Sequence, residues 1–392
     1  MFKNIEVSIN ESRLWTSLME MAKVGPGMKG GSNRQALTDE DSMGRNLFRY
    51  WCESENMFMK TDKLGSMFAF RNGTDPQALP VMIGSHLDTQ PTGGKFDGVL
   101  GVLAGLEVVR ILNEYNIKTK HPIVIANWTN EEGSRFVPSM IASGVYSGKY
   151  SLEYAYNRRD SNGLSLKDEL LRTGWMGDMP LGNPKIHAYY EYHIEQGPIL
   201  EAENKLIGVV THGQGQSWLE VTLIGKEAHT GSTPMNMRSN ASLAMAKIIN
   251  ASHELAIDNQ PNTAVSVAKV DFSPNSRNVL PGRVVFTIDI RAASQDKFYK
   301  LCNDIEAEVY KIASELNVGC SIELVGHYNP VTFDKQLVSV IRNVSNKLNY
   351  SNIDICSGAG HDAFWISNVA RAAMIMCPCV DGLSHNENES IS

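Results

Sequence analysis

The chain has 392 residues and a net charge of −7, with no block of basic residues, which argues against a nucleic-acid partner. No run approaches the roughly 20 apolar residues of a membrane helix, and the N-terminus lacks the apolar centre of a secretory signal. The six cysteines show no spacing typical of a disulfide framework, so we expect a cytoplasmic protein, and the length favours two domains.

Apolar periodicity predicts an α/β fold for the first part of the chain. Its predicted elements are helices at 8–24, 39–58 and 99–115 and strands at 67–71, 79–84, 121–127 and 188–194. Asn72-Gly73 predicts a hairpin turn between the first two strands. The later runs are continuously apolar, which is typical of buried parallel strands. We therefore predict a mixed, largely parallel sheet with helices on both faces.

The pattern changes at about His212, where an inserted module begins. Its predicted elements are strands at 218–225, 263–272, 283–292 and 319–325 and helices at 238–257 and 295–316. This order predicts a two-layer α+β domain over residues 212–326, suited to dimerisation or to a lid. A helix at 334–348 and a strand at 372–376 return the chain to the first domain, which comprises residues 1–211 and 327–392.

Candidate metal ligands lie at predicted strand ends or in the adjoining loops: His86, Asp97, Glu132, His193 and His385. The carboxyl ends of parallel strands meet at one edge of a sheet, where such groups collect. Five ligands suit two metal ions that share a carboxylate, and Asp97 is the natural bridge. Glu131 is then free to act as a general base, and Asp88 would hold the imidazole of His86 in one tautomer. The alternative is that these acids and histidines only satisfy one another structurally.

Motifs spread over nearly the whole chain carry a family resemblance: GSHLDTQPTGGKFDG, NWTNEEGSRF, EYHIEQGPILE, GKEAHTGSTPM, NSRNVLPG, DIRA, SGAGHDA and GLSHNE. Together they resemble the M20 metallohydrolases, in the branch of N-carbamoyl-amino-acid hydrolases, β-ureidopropionases and allantoate amidohydrolases. The resemblance implies a fold like that of di-zinc peptidases. It also implies that His86 and His193 hold one divalent metal, that Glu132 and His385 hold the other, and that Asp97 bridges them. Zinc is expected first, and manganese, cobalt and nickel suit the same ligands.

The resemblance further implies residues that contact a small ureido substrate. Gln196 would contact the amide or ureido group, and Gly360 would offer a backbone contact near the substrate carboxylate. His229 would stabilise the oxyanion, and in a homodimer His229 and Asn278 would serve the neighbouring subunit's site. Asn278 and Arg291 would grip the carboxylate, because a guanidinium binds it with two hydrogen bonds. A solvated charge on a strand is the alternative for Arg291.

The implied reaction is hydrolysis of the ureido C–N bond of an N-carbamoyl-β- or N-carbamoyl-L-amino acid, giving the amino acid, carbon dioxide and ammonia. Gln90-Pro91, directly after HLDT, resembles the β-ureidopropionase-type members of the family, which tilts the implied substrate towards N-carbamoyl-β-alanine. The rival activity is that of an allantoate amidohydrolase, and a rival of another class is a non-catalytic ligand-binding protein of the same fold. The chain stops soon after His385, where relatives of the family continue into a closing helix. Either this is a trimmed form, or the His385 loop is less supported and full metal occupancy is not expected.

Overall fold

The computed structural model describes residues 7–391, which divide into two compact units. The first unit contains the chain up to Thr211 and again from Phe333, and the second unit is His212–Thr332. The helices are α1 (Glu11–Ala22), α2 (Asp39–Ser54), α3 (Val99–Glu114), α4 (Ile141–Tyr146), α5 (Leu152–Tyr156), α6 (Leu166–Thr173), α7 (Ile199–Ala202), α8 (Ala241–Asp258), α9 (Gln295–Glu315), α10 (Lys335–Lys347) and α11 (Asp362–Ile366). None of the helices within residues 7–391 combines the length and apolar character needed to span a lipid bilayer.

The strands are β1 (Phe58–Thr61), β2 (Met67–Arg71), β3 (Val81–His86), β4 (Ile123–Trp128), β5 (Ala188–Ile194), β6 (Ile207–Gly213), β7 (Gly215–Ile224), β8 (Ala228–His229), β9 (Thr263–Ser266), β10 (Val270–Ser273), β11 (Val279–Leu280), β12 (Arg283–Ala292), β13 (Gly319–Tyr328), β14 (Val331–Thr332), β15 (Asn352–Ser357) and β16 (Ala372–Cys377). In the first unit they follow the order β1-β2-β4-β3-β5-β16-β6, and β15 pairs with β6. The central pairs β4–β3, β3–β5 and β5–β16 are parallel, whereas the outer pairs β1–β2, β2–β4 and β16–β6 are antiparallel. The prediction of a mixed, largely parallel sheet is confirmed.

Two glycines allow α3 to approach the ends of the parallel strands. A Cβ atom added at Gly101 would lie 2.4 Å from the carbonyl oxygen of Tyr192 and 2.8 Å from Cβ of Ser85. Gly98, which precedes the helix with φ of +66°, would place a Cβ atom 2.4 Å from the imidazole of His86. Only glycine fits both positions, because any side chain would push the helix away from the sheet. The start of α3 therefore lies directly against His86.

The hairpin predicted at Asn72-Gly73 is wrong. β2 pairs instead with β1, whose first residue, Phe58, was predicted as the last residue of the second helix, and with β4. Gly73 permits a different contact, since its Cβ atom would lie 2.4 Å from the carbonyl oxygen of Lys120. The backbone amide of Thr74 then donates to the carbonyl of Thr119 at 2.9 Å. A close approach of two backbones, rather than a tight turn, explains the glycine.

The second unit is a sheet in the order β10-β12-β7-β13, with β9 pairing with β12. Alternate residues of β7 and β12 are buried with α8 and α9 in one apolar core, which gives the two layers that the sequence predicts. The single strand predicted at 263–272 is divided into β9 and β10. Ser266 pairs with Asp289 and Val270 with Phe286, so one extra residue separates the strands as a β-bulge.

Candidate metal centre

Parallel strands bring candidate ligands to one edge of the first unit's sheet. β3 ends at His86, and His193 lies one residue before the end of β5. β4 is followed by the irregular loop that carries Glu131 and Glu132. Because β4, β3 and β5 are parallel neighbours, their carboxyl ends lie at the same edge.

Asp97 lies between two groups of candidate ligands. Its Oδ1 atom is 3.2 Å from Nε2 of His193 and 3.7 Å from Nε2 of His86. Its Oδ2 atom is 3.3 Å from Nε2 of His385, which in turn is 3.4 Å from Oε2 of Glu132. Each oxygen of Asp97 therefore faces a different ligand group, which is the arrangement that a bridging carboxylate needs.

The histidine contacts fit metal coordination through Nε2. The Nδ1 atoms of His86 and His193 lie 2.9 Å from the carbonyl oxygens of Asp88 and Ile194. Since a carbonyl only accepts, each Nδ1 carries the hydrogen, as is usual for histidines that bind metals through Nε2. Nε2 of His193 is buried and has no hydrogen-bond partner, although Oδ1 of Asp97 is close to it. The residues present thus fit a divalent cation between these atoms.

For both buried histidines, His86 and His193, burial acts to lower the pKa and the carboxylate of Asp97 acts to raise it. Burial lowers the pKa of His86 to about 4, so its imidazole is neutral and ready to coordinate. Burial also acts to lower the pKa of His193, but the carboxylate of Asp97 outweighs it and raises that pKa to about 9. A metal ion would take the place of the proton on His193.

Glu131 and Glu132 are carboxyl groups held among other acids. Burial, followed by repulsion from Asp362 and from Glu132, raises the pKa of Glu131 well above its usual range. Burial and Asp97 raise the pKa of Glu132 to about 8. A cation bound here would relieve this repulsion. Oε2 of Glu131 is 3.5 Å from Nε2 of His86, so this carboxylate lies beside the ligands, where a general base is needed.

Asp88 orients the loop that carries these two glutamates. Its Oδ1 and Oδ2 atoms accept hydrogen bonds from the backbone amides of Glu131 and Glu132, each at 3.3 Å. The carboxylate was expected to hold the imidazole of His86, but that contact is made by the backbone carbonyl of Asp88. Asp88 therefore supports two parts of the candidate site. Its backbone carbonyl contacts His86, and its carboxylate contacts the loop that carries Glu131 and Glu132.

Two further residues were predicted to contact substrate in this unit. Gln196, with φ of +57°, donates from Nε2 to Oδ2 of Asp97 at 3.0 Å and to the hydroxyl of Ser384 at 3.1 Å. It therefore lies beside the carboxylate of Asp97. Gly360 lies in the loop between β15 and α11, next to His361, whose ring centroid is 4.3 Å from that of His193.

A third group of potential ligands comprises Glu191, His193 and His361. The carboxylate of Glu191 already accepts hydrogen bonds from the hydroxyls of Ser85 and Tyr189 and from the backbone amide of Ala363. These donors satisfy both of its oxygens, so Glu191 is better explained as structural support beneath the site. Its position was not predicted, because an acid inside a buried strand gives no motif signal.

The His385 loop is anchored by residues that follow it. Glu389 is buried and accepts a hydrogen bond from the backbone amide of Asp97 at 3.1 Å. Glu387 accepts one from the backbone amide of Gly31 at 3.2 Å. His385 itself remains half-exposed. The expectation that this loop lacks support is therefore wrong for the described residues, and neither glutamate was predicted from the sequence.

The second unit contains the other predicted substrate contacts. Nδ1 of His229 accepts hydrogen bonds from the backbone amides of Gly231 and Ser232, each at 3.0 Å. Nε2 of the same ring lies 3.2 Å from Nδ2 of Asn278, so the structure brings these two side chains together. Arg291 is on β12, where its guanidinium is paired with Asp289: Nη2 is 3.0 Å from Oδ2.

Known proteins resemble this chain along almost its whole length. An N-carbamoyl-L-amino-acid amidohydrolase from Rhizobium meliloti is 64% identical, over 98% of this chain and 92% of its own. An allantoate amidohydrolase from Bacillus subtilis is 32% identical, over 95% of this chain and 91% of its own. The crystal structure of an amidase of the hydantoinase/carbamoylase family from Burkholderia multivorans superimposes with a TM-score of 0.94 and 46% identity, covering 99% of this chain and 94% of the other.

The sequence profile of peptidase family M20/M25/M40 matches residues 82–392. That stretch contains every candidate ligand described above, from His86 to His385. The match covers most of the chain and agrees with the two ligand groups that share Asp97. This chain therefore belongs to peptidase family M20/M25/M40.

Proposed function

We propose that this chain is a metal-dependent amidohydrolase that cleaves the ureido C–N bond of N-carbamoyl-L-amino acids. One molecule of water is consumed, and the amino acid, carbon dioxide and ammonia are released. The proposal rests on the position of Asp97. Each of its two oxygens faces one ligand group, and Glu131 lies beside the ligand His86. The R. meliloti relative supports the substrate class.

The ligands in the first unit would hold two divalent metal ions: His86, His193, Asp97, Glu132 and His385. When bound, such ions polarise a carbonyl oxygen and lower the pKa of a water molecule. Zinc is our first choice, and manganese, cobalt and nickel suit the same nitrogen and oxygen donors. Metal content measured on the purified protein would decide among them.

Glu131 is proposed as the general base. It would accept a proton from the attacking water and return it to the departing nitrogen, which needs a carboxyl that can both gain and lose a proton near neutral pH. Burial and neighbouring acids push its pKa in that direction. Asp88 would keep this carboxylate in place by accepting the backbone amides of residues 131 and 132.

His229 is proposed as the donor to the oxyanion. Because Nδ1 accepts two backbone amides, the ring hydrogen of the neutral imidazole would lie on Nε2, and the side-chain amide of Asn278, 3.2 Å away, would then turn its oxygen towards the ring. A donor fixed in this way can stabilise negative charge as it develops on the carbonyl oxygen. Gln196 would bind the ureido group, and Asn278, Arg291 and the backbone of Gly360 would bind the substrate carboxylate.

Hydrolysis of a substrate panel tests the activity. We would measure ammonia release from N-carbamoyl-L-alanine, its D-enantiomer, N-carbamoyl-β-alanine and allantoate, with metal content determined on the same sample. The proposal predicts the highest kcat/KM for the L-compound. If only allantoate is hydrolysed, the proposed activity is wrong and the chain is an allantoate amidohydrolase, like the B. subtilis relative. If the metal-loaded protein hydrolyses none of the four compounds, it is a non-catalytic binding protein.

The structure gives Gln90, which favours N-carbamoyl-β-alanine by resemblance, a contact that does not depend on the substrate. Its side chain donates to the candidate ligand Glu132 at 2.8 Å. Gln90 therefore supports a candidate metal ligand whatever the substrate is. The 64% identical relative favours the α-amino acid series.

We also propose that the protein is a cytoplasmic homodimer formed through the second unit. β13 lies at one end of that unit's sheet, and its Leu324 and Val325 are each 58% exposed. An apolar strand at a sheet edge is suited to pairing with the same strand of a second copy. Leu324→Lys should then yield a monomer in light scattering coupled to gel filtration, whereas an unchanged mass would point to a different interface.

A mixing experiment tests whether His229 serves the neighbouring subunit. His229→Ala and Glu131→Gln are each expected to be inactive alone. In a mixed dimer, an intact Glu131 from one subunit would meet an intact His229 from the other, restoring about a quarter of wild-type activity after random exchange. No recovery in verified mixed dimers would place His229 in its own subunit's site.

A further inference from the structure

The second ligand group comprises Asp97, Glu132 and His385, and the carboxylate of Glu389 contacts the segments that carry Asp97 and His385. It is 4% exposed. Its Oε1 atom accepts hydrogen bonds from the backbone amides of Phe96 at 2.9 Å and Asp97 at 3.1 Å. Its Oε2 atom accepts one from the hydroxyl of Ser384 at 3.2 Å, the residue immediately before His385. One buried side chain thus links the backbone at Asp97 to the loop of His385.

The surroundings are shaped to admit this side chain. A Cβ atom added at Gly94 would lie 2.0 Å from both Cδ and Oε1 of Glu389, so only glycine leaves room for it there. The hydroxyl of Ser384 is also 3.4 Å from Oδ2 of Asp97 and accepts a hydrogen bond from Gln196 at 3.1 Å. Glu389 therefore completes a set of contacts around the bridging carboxylate.

The first ligand group has independent supports. The imidazoles of His86 and His193 are oriented by the carbonyls of Asp88 and Ile194, and neither contact involves the C-terminal segment. His385 is half-exposed, so its loop depends more on such anchors. Asp97 belongs to both groups, but His86 and His193 keep their own supports when Glu389 is lost. Loss of Glu389 should therefore weaken the second group much more than the first.

We propose that Glu389 is a positioning residue that sets the spacing of Asp97 and His385 and thereby controls the affinity of the second metal. The proposal rests on the two-metal function proposed above. Hydrogen-bonding partners behind metal ligands typically change metal affinity by about 10- to 100-fold. Glu389 would act in this way through backbone amides and a serine hydroxyl, without binding the metal itself.

Glu387 provides a matched control in the same segment. Its carboxylate accepts the backbone amides of Lys29 and Gly31, so it also ties the C-terminal residues to the first unit. No hydrogen bond joins it to Asp97 or to Ser384 among the contacts of the described residues. Glu387→Ala therefore loosens the C-terminal segment while leaving the contacts of Glu389 in place.

The test is calorimetric titration of Zn²⁺ into chelator-treated wild type, Glu389→Ala, Glu389→Gln and Glu387→Ala. We expect two sites in the wild type. Glu389→Ala should keep one and weaken the other by about 100-fold. Glu389→Gln should restore most of the loss, since its side-chain oxygen can still accept both amides. Melting temperatures of the metal-free proteins check that each variant is folded.

Two results would overturn the proposal: wild-type affinity at both sites in a folded Glu389→Ala protein, or an equal loss in Glu387→Ala. A wild type that binds fewer than two zinc ions would contradict the two-metal function itself. These failures are distinguishable, because the first two appear only in the comparison of variants. Visible spectra of the Co²⁺-loaded proteins provide a second readout, in which Glu389→Ala should lose the signal of one ion.

Discussion

The side-chain amide of Gln90 donates to Oε2 of Glu132 at 2.8 Å, and the backbone amide of Gln90 donates to Oε1 of the same carboxylate at 3.1 Å. Both oxygens of a candidate metal ligand are therefore engaged by one neighbouring residue. The pair joins the loop after β3 to the loop after β4, which are also connected through Asp88. Gln90 thus orients the candidate metal ligand Glu132.

Gln90→Leu should weaken the second metal site without changing substrate preference. The loss of the amide leaves Glu132 with one fewer donor, and we expect metal affinity to fall by about tenfold. Zinc titration, and the ratio of kcat/KM for N-carbamoyl-L-alanine to that for N-carbamoyl-β-alanine, would be measured together. Gln77→Leu, on an exposed loop, is the control. A changed substrate ratio with unchanged metal affinity would assign Gln90 to substrate selection instead.

Glu131→Gln should abolish turnover while keeping the metals. The amide is nearly isosteric but cannot accept the proton of an attacking water, so we expect kcat to fall by about 10³-fold with little change in KM. Metal analysis on the same sample separates this result from loss of the ions. Activity within a few-fold of wild type, at full metal content, would remove Glu131 as the base.

Short-range patterns explain why part of the site was predictable. Apolar runs locate β3, β4 and β5, and parallel strands bring their carboxyl ends to one edge, so the proximity of His86, Glu131 and His193 follows from the sequence. The start of α3 adds Asp97, because a glycine directly after it admits the helix beside His86. These placements depend on elements that are close in the chain or adjacent in the sheet.

The contacts that were not predicted join distant segments through single side chains. Glu389 reaches the amide of Asp97 across 292 residues of sequence, and no periodicity indicates such a pair. Gly73 shows a related limit: Asn-Gly usually favours a hairpin, but here the glycine clears space for the backbone at Lys120. Both outcomes depend on tertiary packing rather than on local preference.

Arg291→Lys should raise KM for substrates that carry a carboxylate. Asp289 holds the guanidinium in a fixed orientation, with Nε 3.2 Å from Oδ1 and Nη2 3.0 Å from Oδ2. Lysine cannot reproduce paired hydrogen bonds to a second carboxylate, so we expect KM to rise by about 30-fold with a smaller change in kcat. Steady-state kinetics on N-carbamoyl-L-alanine provide the measurement.

The same substitution at Arg283 is the control for Arg291→Lys, since Arg283 is the exposed first residue of β12. Arg283→Lys should leave KM unchanged. Equal KM values for the two variants would show that Arg291 pairs with Asp289 but does not bind the substrate.

Asp62 should make stability depend on pH, independently of the metal centre. Its side chain lies in the turn between β1 and β2, where Oδ1 accepts the backbone amides of Leu64 at 2.8 Å and Ser66 at 2.9 Å. Burial raises its pKa from 3.8 to about 7, so the folded protein binds this proton more tightly than the unfolded chain. Its contribution to the free energy of unfolding is therefore fully present below pH 3.8 and is lost as the pH rises through about 7.

Asp62→Asn should remove this dependence, because the amide oxygen can still accept both backbone amides while no charge is buried. A shift of this size corresponds to about 4 kcal/mol of stability lost between acidic and mildly basic pH. The variant should thus melt at a higher temperature than the wild type at pH 8 and differ less from it at pH 5. Asp178→Asn, at an exposed carboxyl close in sequence to the segment that pairs with Asp62, should follow the wild type at both pH values. Parallel pH profiles for Asp62→Asn and the wild type would mean that the carboxylate stays ionised in the fold, with its backbone donors outweighing the cost of burial.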